Sequence, residues 1–129
     1  MRSIIFIFLT FLLFGVSGCQ KDYVKLNDDE IKEYISKNNI DAQRTTEGLY
    51  YVVNEEGSGD RPTVSDNVTV HYSGYLTNGS VFDSSYDRGE RASFPLRGVI
   101  QGWQIGIPKI KEGGLCKLII PSHLAYGAN

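Results

Sequence analysis

The chain has 129 residues, of which 41% are hydrophobic and 22% are charged, and its formal net charge at pH 7 is −2. This length suits one domain with a single core, and the composition is typical of a globular protein and not of a disordered chain. The charge argues against binding to nucleic acid, because no basic patch stands out along the sequence.

The first 18 residues have the pattern of a secretory signal. Arg2 precedes an apolar run over residues 4–16 that is too short to span a bilayer of about 30 Å. The run leads into Val16-Ser17-Gly18-Cys19, which resembles the lipobox of bacterial lipoproteins, where the peptidase cuts before a lipid-modified cysteine. We therefore predict a signal peptide over residues 1–18 and a membrane anchor on Cys19. A plain signal peptide with a chance cysteine is the alternative.

Residues 19–47 are predicted to be a lipid-anchored tether with a short helix. Residues 20–26 show no periodicity, whereas Asn27 and Glu30 have the spacing of a capping box. The apolar stripe that follows at helical spacing consists of Ile31, Tyr34 and Ile35. The pattern predicts a helix of about three turns over residues 27–38, which packs on the domain or spaces it from the membrane.

Strand patterns separated by turn signals follow from residue 48 onwards. Residues 49–53 are rich in β-branched and aromatic side chains, and in residues 68–72 two valines and a tyrosine alternate with polar residues. Asn78-Gly79 lies between two strand-like runs, which predicts a hairpin that brings Phe82 back near Tyr72 or its neighbours.

One short helix is predicted before the last strand. Residues 99–103 include the only tryptophan, and the helix is expected to end near Gly106 and Pro108. Residues 84–92 are polar and predicted to be irregular, and the apolar run 115–120 predicts a buried strand. These elements predict the α+β class, with an antiparallel β-sheet wrapped against one short α-helix.

Residue types that carry covalent or metal chemistry do not form a recognisable site in the sequence. His71 and His123 have no Cys, Asp or Glu at ligand spacing, so neither a metal site nor a cofactor is predicted. Ser84 and Ser85 have no histidine at a triad position. Cys116 lies in the apolar run and is interpreted as a small buried hydrophobe.

The lone Trp103 could form the floor of an aromatic pocket. Two branched aliphatic residues, Val99 and Ile100, lie beside it in the sequence. The aromatic residues that could fold over the indole are Tyr72, Phe82, Phe94 and Tyr126. Burial of Trp103 in an ordinary core is the alternative, because large aromatic residues are highly buried on average.

Five blocks of the sequence, in this order and at these spacings, resemble the FKBP-type peptidyl-prolyl isomerases. The blocks are Val70 to Gly74, Asn78-Gly79, Phe82 to Ser85, Val99 to Trp103 and Leu124 to Gly127. The resemblance covers residues 48–129, which we assign as the isomerase domain. It implies an FKBP-like fold, proline-containing polypeptide substrates, macrolides as possible inhibitors and no cofactor.

The resemblance also implies roles for individual residues. The catalytic residues that it implies are Asp83, Tyr126, Tyr72 and Phe82. The substrate-binding residues that it implies are Trp103 as the floor, Val99 and Ile100 as an aliphatic wall, and Phe94. The backbone N–H of Ile100 and the hydroxyl of Tyr126 would donate to the bound peptide, and Arg88 fits the arginine that holds Asp83.

Two departures from the family pattern change these expectations. Ala92 stands where many members carry another aromatic residue, which opens one side of the pocket. The family domain continues past the position of Tyr126 to a final strand within the sheet, so we expect that strand to be missing from these 129 residues.

The function implied is isomerisation of X-Pro bonds in proteins of the bacterial cell envelope, on the periplasmic or surface face of the outer membrane. A lipid-anchored chaperone or adaptor that binds proline-containing segments without catalysis is the alternative. Asp83 and Tyr126 together favour catalysis, because docking of proline needs ring faces more than hydrogen bonds.

Overall fold

The computed structural model describes residues 2–11, 20–76 and 79–125, and it describes the side chains from residue 27 onwards. Seven strands and three α-helices lie within these residues. They are β1 (Arg2–Phe11), α1 (Gln20–Lys37), β2 (Gln43–Arg44), β3 (Tyr50–Glu55), β4 (Asn67–Leu76), β5 (Val81–Ser84), α2 (Ser85–Arg88), β6 (Ala92–Pro95), α3 (Gln101–Gly106) and β7 (Leu115–Ile120).

The described strands form one sheet in the order β2-β3-β7-β1-β4-β5, and β6 pairs with the first half of β4. The pairs β2–β3, β3–β7, β4–β5 and β4–β6 are antiparallel. The predicted α+β class with antiparallel strands and short helices is therefore confirmed. The sequence did not predict β6, or the parallel strand β1.

Strand β1 lies between β4 and β7 and pairs in parallel with both. Its ten residues face Asn67–Leu76 of β4, and Phe6–Phe11 face β7. Because β1 pairs with both neighbours, the inner edges of β4 and β7 have partners in the full chain. The signal peptide over residues 1–18 stays a prediction, and Cys19 lies outside the described residues. In the part of the chain that is described, no helix is long and apolar enough to cross a membrane.

The alternation of β4 and β7 divides the buried side chains between the two faces of the sheet. One face carries the larger core, which consists of Leu49, Val68, Val70, Tyr72, Leu96, Trp103, Ile107, Ile110, Cys116, Leu118, Ile120 and Leu124. The opposite face carries a smaller cluster, in which Ile31 of α1 packs with Tyr50 and Ile119. Helix α3 therefore covers one face, and α1 covers the other.

Helix α3 approaches β7 closely because two of its residues are glycines. A Cβ atom on Gly102 would lie 2.7 Å from Ile120 Cγ2, and one on Gly106 would lie 2.5 Å from Leu118 Cδ2. Real Cβ atoms do not approach other heavy atoms so closely, so any larger residue would displace the buried side chain of Ile120 or Leu118, or move the helix away from the strand. The predicted end of this helix near Gly106 is confirmed.

The predicted start of α1 was wrong, and α2 was not predicted. Helix α1 begins at Gln20, and Asn27 is not its cap, because Oδ1 of Asn27 accepts hydrogen bonds from N (3.0 Å) and Oγ (2.8 Å) of Ser122. The segment 84–92, which was predicted to be irregular, contains α2, with Ser84 as its N-cap. Asn27 therefore binds a residue far away in the sequence and does not cap a helix, and the helix cap is found instead at Ser84, where no helix was predicted.

Removal of residues 1–19 should leave the inner edges of β4 and β7 without partners. An unsatisfied buried backbone group costs about 1–3 kcal/mol, and a domain has only about 5–15 kcal/mol of stability in total. We expect residues 20–129 alone to aggregate or to unfold without a sharp transition, whereas the full chain unfolds cooperatively in a thermal scan followed by circular dichroism.

The substitution Ile7→Pro in the full chain tests the same contact, because Ile7 pairs with both Tyr72 and Cys116 and proline cannot donate within an interior strand. The conservative variant Ile7→Val should keep the transition of the full chain. Equal transitions for residues 20–129 and the full chain would contradict the pairing of β1.

Candidate active site

Trp103 lies near the start of α3 and forms the floor of a cavity. Its side chain is only 6% exposed. The Tyr72 ring meets the indole edge-on, with centroids 5.0 Å apart and planes at 76°, and the Phe94 ring lies 5.3 Å away at 41°. The indole Nε1 is buried and has no hydrogen-bond partner among the described residues. The floor is therefore an aromatic surface held by β4 and β6.

The cavity has a volume of about 330 Å³ and a mainly apolar lining. Its lining residues are Tyr72, Phe82, Asp83, Ala92, Phe94, Gly98, Val99, Ile100 and Trp103. This set includes seven of the eight residues that the sequence predicted for the pocket, and Tyr126 lies outside the described residues. The sequence analysis missed Gly98, for which side-chain chemistry gives no signal.

Phe82 and Ala92 leave one part of the cavity open to solvent. Phe82 is 42% exposed, and its ring lies over Gly74 of β4, where a Cβ atom would approach Cζ of Phe82 to 2.8 Å. The predicted return of Phe82 beside β4 is confirmed by the antiparallel pairing of β4 and β5. Ala92 also lines the cavity and has only a methyl side chain, so a bound chain has more room beside it.

The aliphatic wall is held by a residue that the sequence analysis missed. Nε2 of Gln104 donates to the backbone carbonyl oxygens of Val99 (2.8 Å) and Arg97 (3.3 Å). The carbonyl oxygen of Ile100 accepts from N of Trp103, which starts the first turn of α3. Gln104 lies one turn after Ile100, and this spacing was the only signal that could have identified it.

A polar triangle forms the rim of the cavity. The hydroxyl of Tyr72 and Nη1 of Arg88 both donate to the carboxylate of Asp83. Nη2 of Arg88 also donates to the Tyr72 hydroxyl oxygen at 3.0 Å, and the guanidinium carbon lies 5.5 Å from the centroid of the tyrosine ring. Each member therefore contacts the other two, as the resemblance implied for Asp83 and Arg88.

The triangle keeps Asp83 ionised. Partial burial alone would raise the pKa of Asp83, but hydrogen bonds from Tyr72 and Arg88 and the charge of Arg88 outweigh it, so the pKa lies below its ordinary value. Burial and the hydrogen bond to Asp83 raise the pKa of Tyr72. Tyr72 is consequently a neutral hydrogen-bond donor, and Asp83 is an anion, throughout the physiological range.

The fold and this cavity define a class of protein, and comparison with known proteins agrees with it. Residues 59–129 match the family described as FKBP-type peptidyl-prolyl cis-trans isomerase. The chain belongs to this family.

Curated relatives and solved structures support the assignment. The chain is 47% identical to the peptidyl-prolyl cis-trans isomerase Mip of Coxiella burnetii, over 71% of this chain and 40% of that protein. It is 48% identical to FkpA of Escherichia coli, over 78% of this chain and 38% of that protein. The crystal structure of E. coli FkpA matches with a TM-score of 0.72 over 83% of this chain and 51% of that chain, at 45% identity. The chain thus spans about two fifths of the length of these curated relatives.

The lowered pKa of Asp83 predicts part of the acid dependence of stability. Because the folded-state pKa lies below the unfolded value of about 3.9, this contribution is present above that pH and is lost as the pH falls through the folded-state value. We expect the urea midpoint of Asp83→Asn to fall less steeply between about pH 5 and pH 2 than that of the full-length wild type. Parallel profiles for the two proteins would contradict the triangle.

Proposed function

We propose that the chain catalyses cis-trans isomerisation of X-Pro bonds in polypeptides of the bacterial cell envelope. The observation that carries the proposal is the apolar cavity of about 330 Å³, which has Trp103 as its floor and the triangle of Tyr72, Asp83 and Arg88 on its rim. Family membership supports the reaction type, and the same cavity would accept a macrolide whose ring system mimics proline.

The proposed mechanism follows from the electronic structure of the amide. Rotation about the C–N bond has a barrier of about 18–20 kcal/mol, because resonance holds the bond planar. Twisting removes this resonance and its charge separation, so an apolar floor of Trp103 and Phe94 favours the twisted amide over the planar one. Each ~1.4 kcal/mol of such preference gives a tenfold rate increase.

The residues at the rim would hold the substrate chain in position. The proline ring would lie on Trp103, with Val99, Ile100 and Phe94 around it. The N–H of Ile100 and the hydroxyl of Tyr126 would donate to carbonyl oxygens of the peptide. The Asp83 carboxylate, held by Tyr72 and Arg88, would lie beside the partly positive carbonyl carbon as the amide twists. No covalent bond is formed or broken, so the reaction requires no nucleophile.

Two tyrosines provide a test of catalysis with a matched control. Tyr72→Phe removes the hydroxyl that donates to Asp83, whereas Tyr51→Phe removes one that donates to Gln43 Oε1 at 3.0 Å, away from the cavity. We expect Tyr72→Phe and Asp83→Val to lower kcat/KM for an X-Pro peptide roughly tenfold, about 1.4 kcal/mol, and Tyr51→Phe to leave it unchanged.

Trp103→Ala should lower both the activity and the melting temperature, because the indole belongs to the core as well as to the cavity. Activity is followed in a coupled isomerisation assay, and binding to the wild-type chain is followed by quenching of Trp103 fluorescence. A wild-type chain that binds proline peptides without accelerating isomerisation would favour the chaperone or adaptor function.

We also propose that Cys19 is acylated after cleavage of residues 1–18 and anchors the protein to a bacterial membrane. Cleavage removes β1, so the inner edges of β4 and β7 in the anchored protein then require another strand as their partner. The support is the sequence Val16-Ser17-Gly18-Cys19, and stable attachment requires two or more acyl chains. In a bacterium with a lipoprotein pathway, the wild-type protein should enter the detergent phase, and Cys19→Ala should remain in the aqueous phase.

The second cysteine provides a matched control for this experiment. Cys116 is fully buried, and burial raises the pKa of its thiol to about 12, so the thiol is unreactive. Cys116→Ala should therefore enter the detergent phase as the wild type does. Equal membrane partition of Cys19→Ala and wild type would refute the anchor.

A further inference from the structure

One buried hydroxyl fixes the start of α2 to β4. Ser85 is fully buried, and its Oγ accepts from the N–H of Tyr72 at 2.7 Å and donates to the carbonyl oxygen of the same residue at 3.2 Å. The antiparallel pairing of β4 with β5 stops at Ser73 and Ser84. Beyond this point the Ser85 side chain takes the place of a residue of β5. Its hydroxyl binds both the backbone N–H and the backbone carbonyl oxygen of Tyr72.

His71 adds a third contact to the same hydroxyl. Nδ1 of His71 lies 3.0 Å from Oγ of Ser85, and the imidazole stacks on Tyr86 of α2, with ring centroids 4.6 Å apart and planes at 15°. A serine hydroxyl has one donor and two acceptor positions. One acceptor position is occupied by the Tyr72 N–H, and His71 Nδ1 and the Tyr72 carbonyl oxygen share the remaining donor and acceptor positions, so the hydroxyl has three partners.

The same short helix carries Arg88 at its other end. Helix α2 is a single turn that Gly89 ends with a φ of 74°, so its position depends on few contacts. At its start, Ser85 holds the backbone of Tyr72. At its end, Arg88 contacts the hydroxyl of Tyr72 and the carboxylate of Asp83. A shift of α2 along β4 would therefore move Arg88 relative to both groups.

We propose that Ser85 is a positioning residue for the isomerase site. Its hydroxyl fixes α2 against β4 and thereby holds Arg88 on Asp83 and on the hydroxyl of Tyr72. Ser85 is not part of the cavity lining, so it acts through Arg88 and not on the substrate. This inference rests on the proposed function, because it assigns Ser85 a share in the activity of that cavity.

The test compares Ser85→Ala and Ser85→Thr with Asn27→Ala in the full chain. Asn27 is a matched control, because it is also fully buried and also accepts from a backbone N–H, that of Ser122, but lies on α1 on the opposite face of the sheet. We expect Ser85→Ala to lower kcat roughly tenfold with KM changed less than about twofold, since a misplacement of about 1 Å can cost up to 10²-fold. Ser85→Thr keeps the hydroxyl and should restore kcat.

A second readout separates positioning from stability. Asn27→Ala should lower the melting temperature as Ser85→Ala does and leave kcat unchanged. In NMR spectra, the Nε–H signal of Arg88 should shift and broaden in Ser85→Ala only. If Ser85→Ala does not fold, the near-isosteric Ser85→Cys should show an intermediate loss of kcat and the same change at Arg88.

The outcomes distinguish this proposal from the proposed function. Unchanged kcat and an unchanged Arg88 signal in Ser85→Ala, with a lowered melting temperature, would overturn the positioning role and leave the isomerase function intact. A wild-type chain without isomerase activity would overturn the proposed function. In that case, a change at Arg88 would still support the link from Ser85 to the triangle, and an unchanged signal would overturn it.

Discussion

The close contact between α3 and β7 is the constraint on which the rest of the site depends. Gly102 and Gly106 face Ile120 and Leu118 so closely that neither position has space for a Cβ atom. Trp103 lies between these two glycines in the sequence of α3. The distance between α3 and β7 therefore determines how far the indole lies from the sheet, and with it the position of the cavity floor. Because protein interiors are close-packed, a change at this contact would be transmitted to the aromatic rings around the indole.

The cavity combines a dry floor with a charged rim, and the two parts need different environments. Trp103 is nearly fully buried, so contacts there act without competition from water. Asp83 and Arg88 remain partly exposed, which keeps the cost of their charges low, and their mutual hydrogen bonds hold them in place. The site can therefore hold a fixed carboxylate beside a bound amide without burying an unpaired charge.

Much of the fold and of the cavity could be predicted from the sequence, because the signals were local. Alternation in residues 68–72 identified the buried face of β4, and Asn78-Gly79 predicted the hairpin that returns Phe82 to it. Trp103 beside two branched aliphatic residues suggested a pocket floor, and the resemblance to the family implied the roles of Val99, Ile100 and Trp103 in it. Side chains in a strand or in one helical turn have directions set by backbone geometry, so their pattern can be read without the fold.

The sequence by itself predicted the strands around residues 49–53, 68–72 and 115–120 and, through its resemblance to the family, seven residues that line the cavity. Only the tertiary structure showed β1, β2 and β6 and decided how the remaining polar groups are used. Asn27 resembles a helix cap, yet its partner Ser122 lies 95 residues away. Ser85 appears as one of two adjacent serines, and only the end of the β4–β5 ladder directs its hydroxyl to the backbone of Tyr72. The physical reason is that a buried polar group must find a partner wherever the chain places one, and no local pattern records that position.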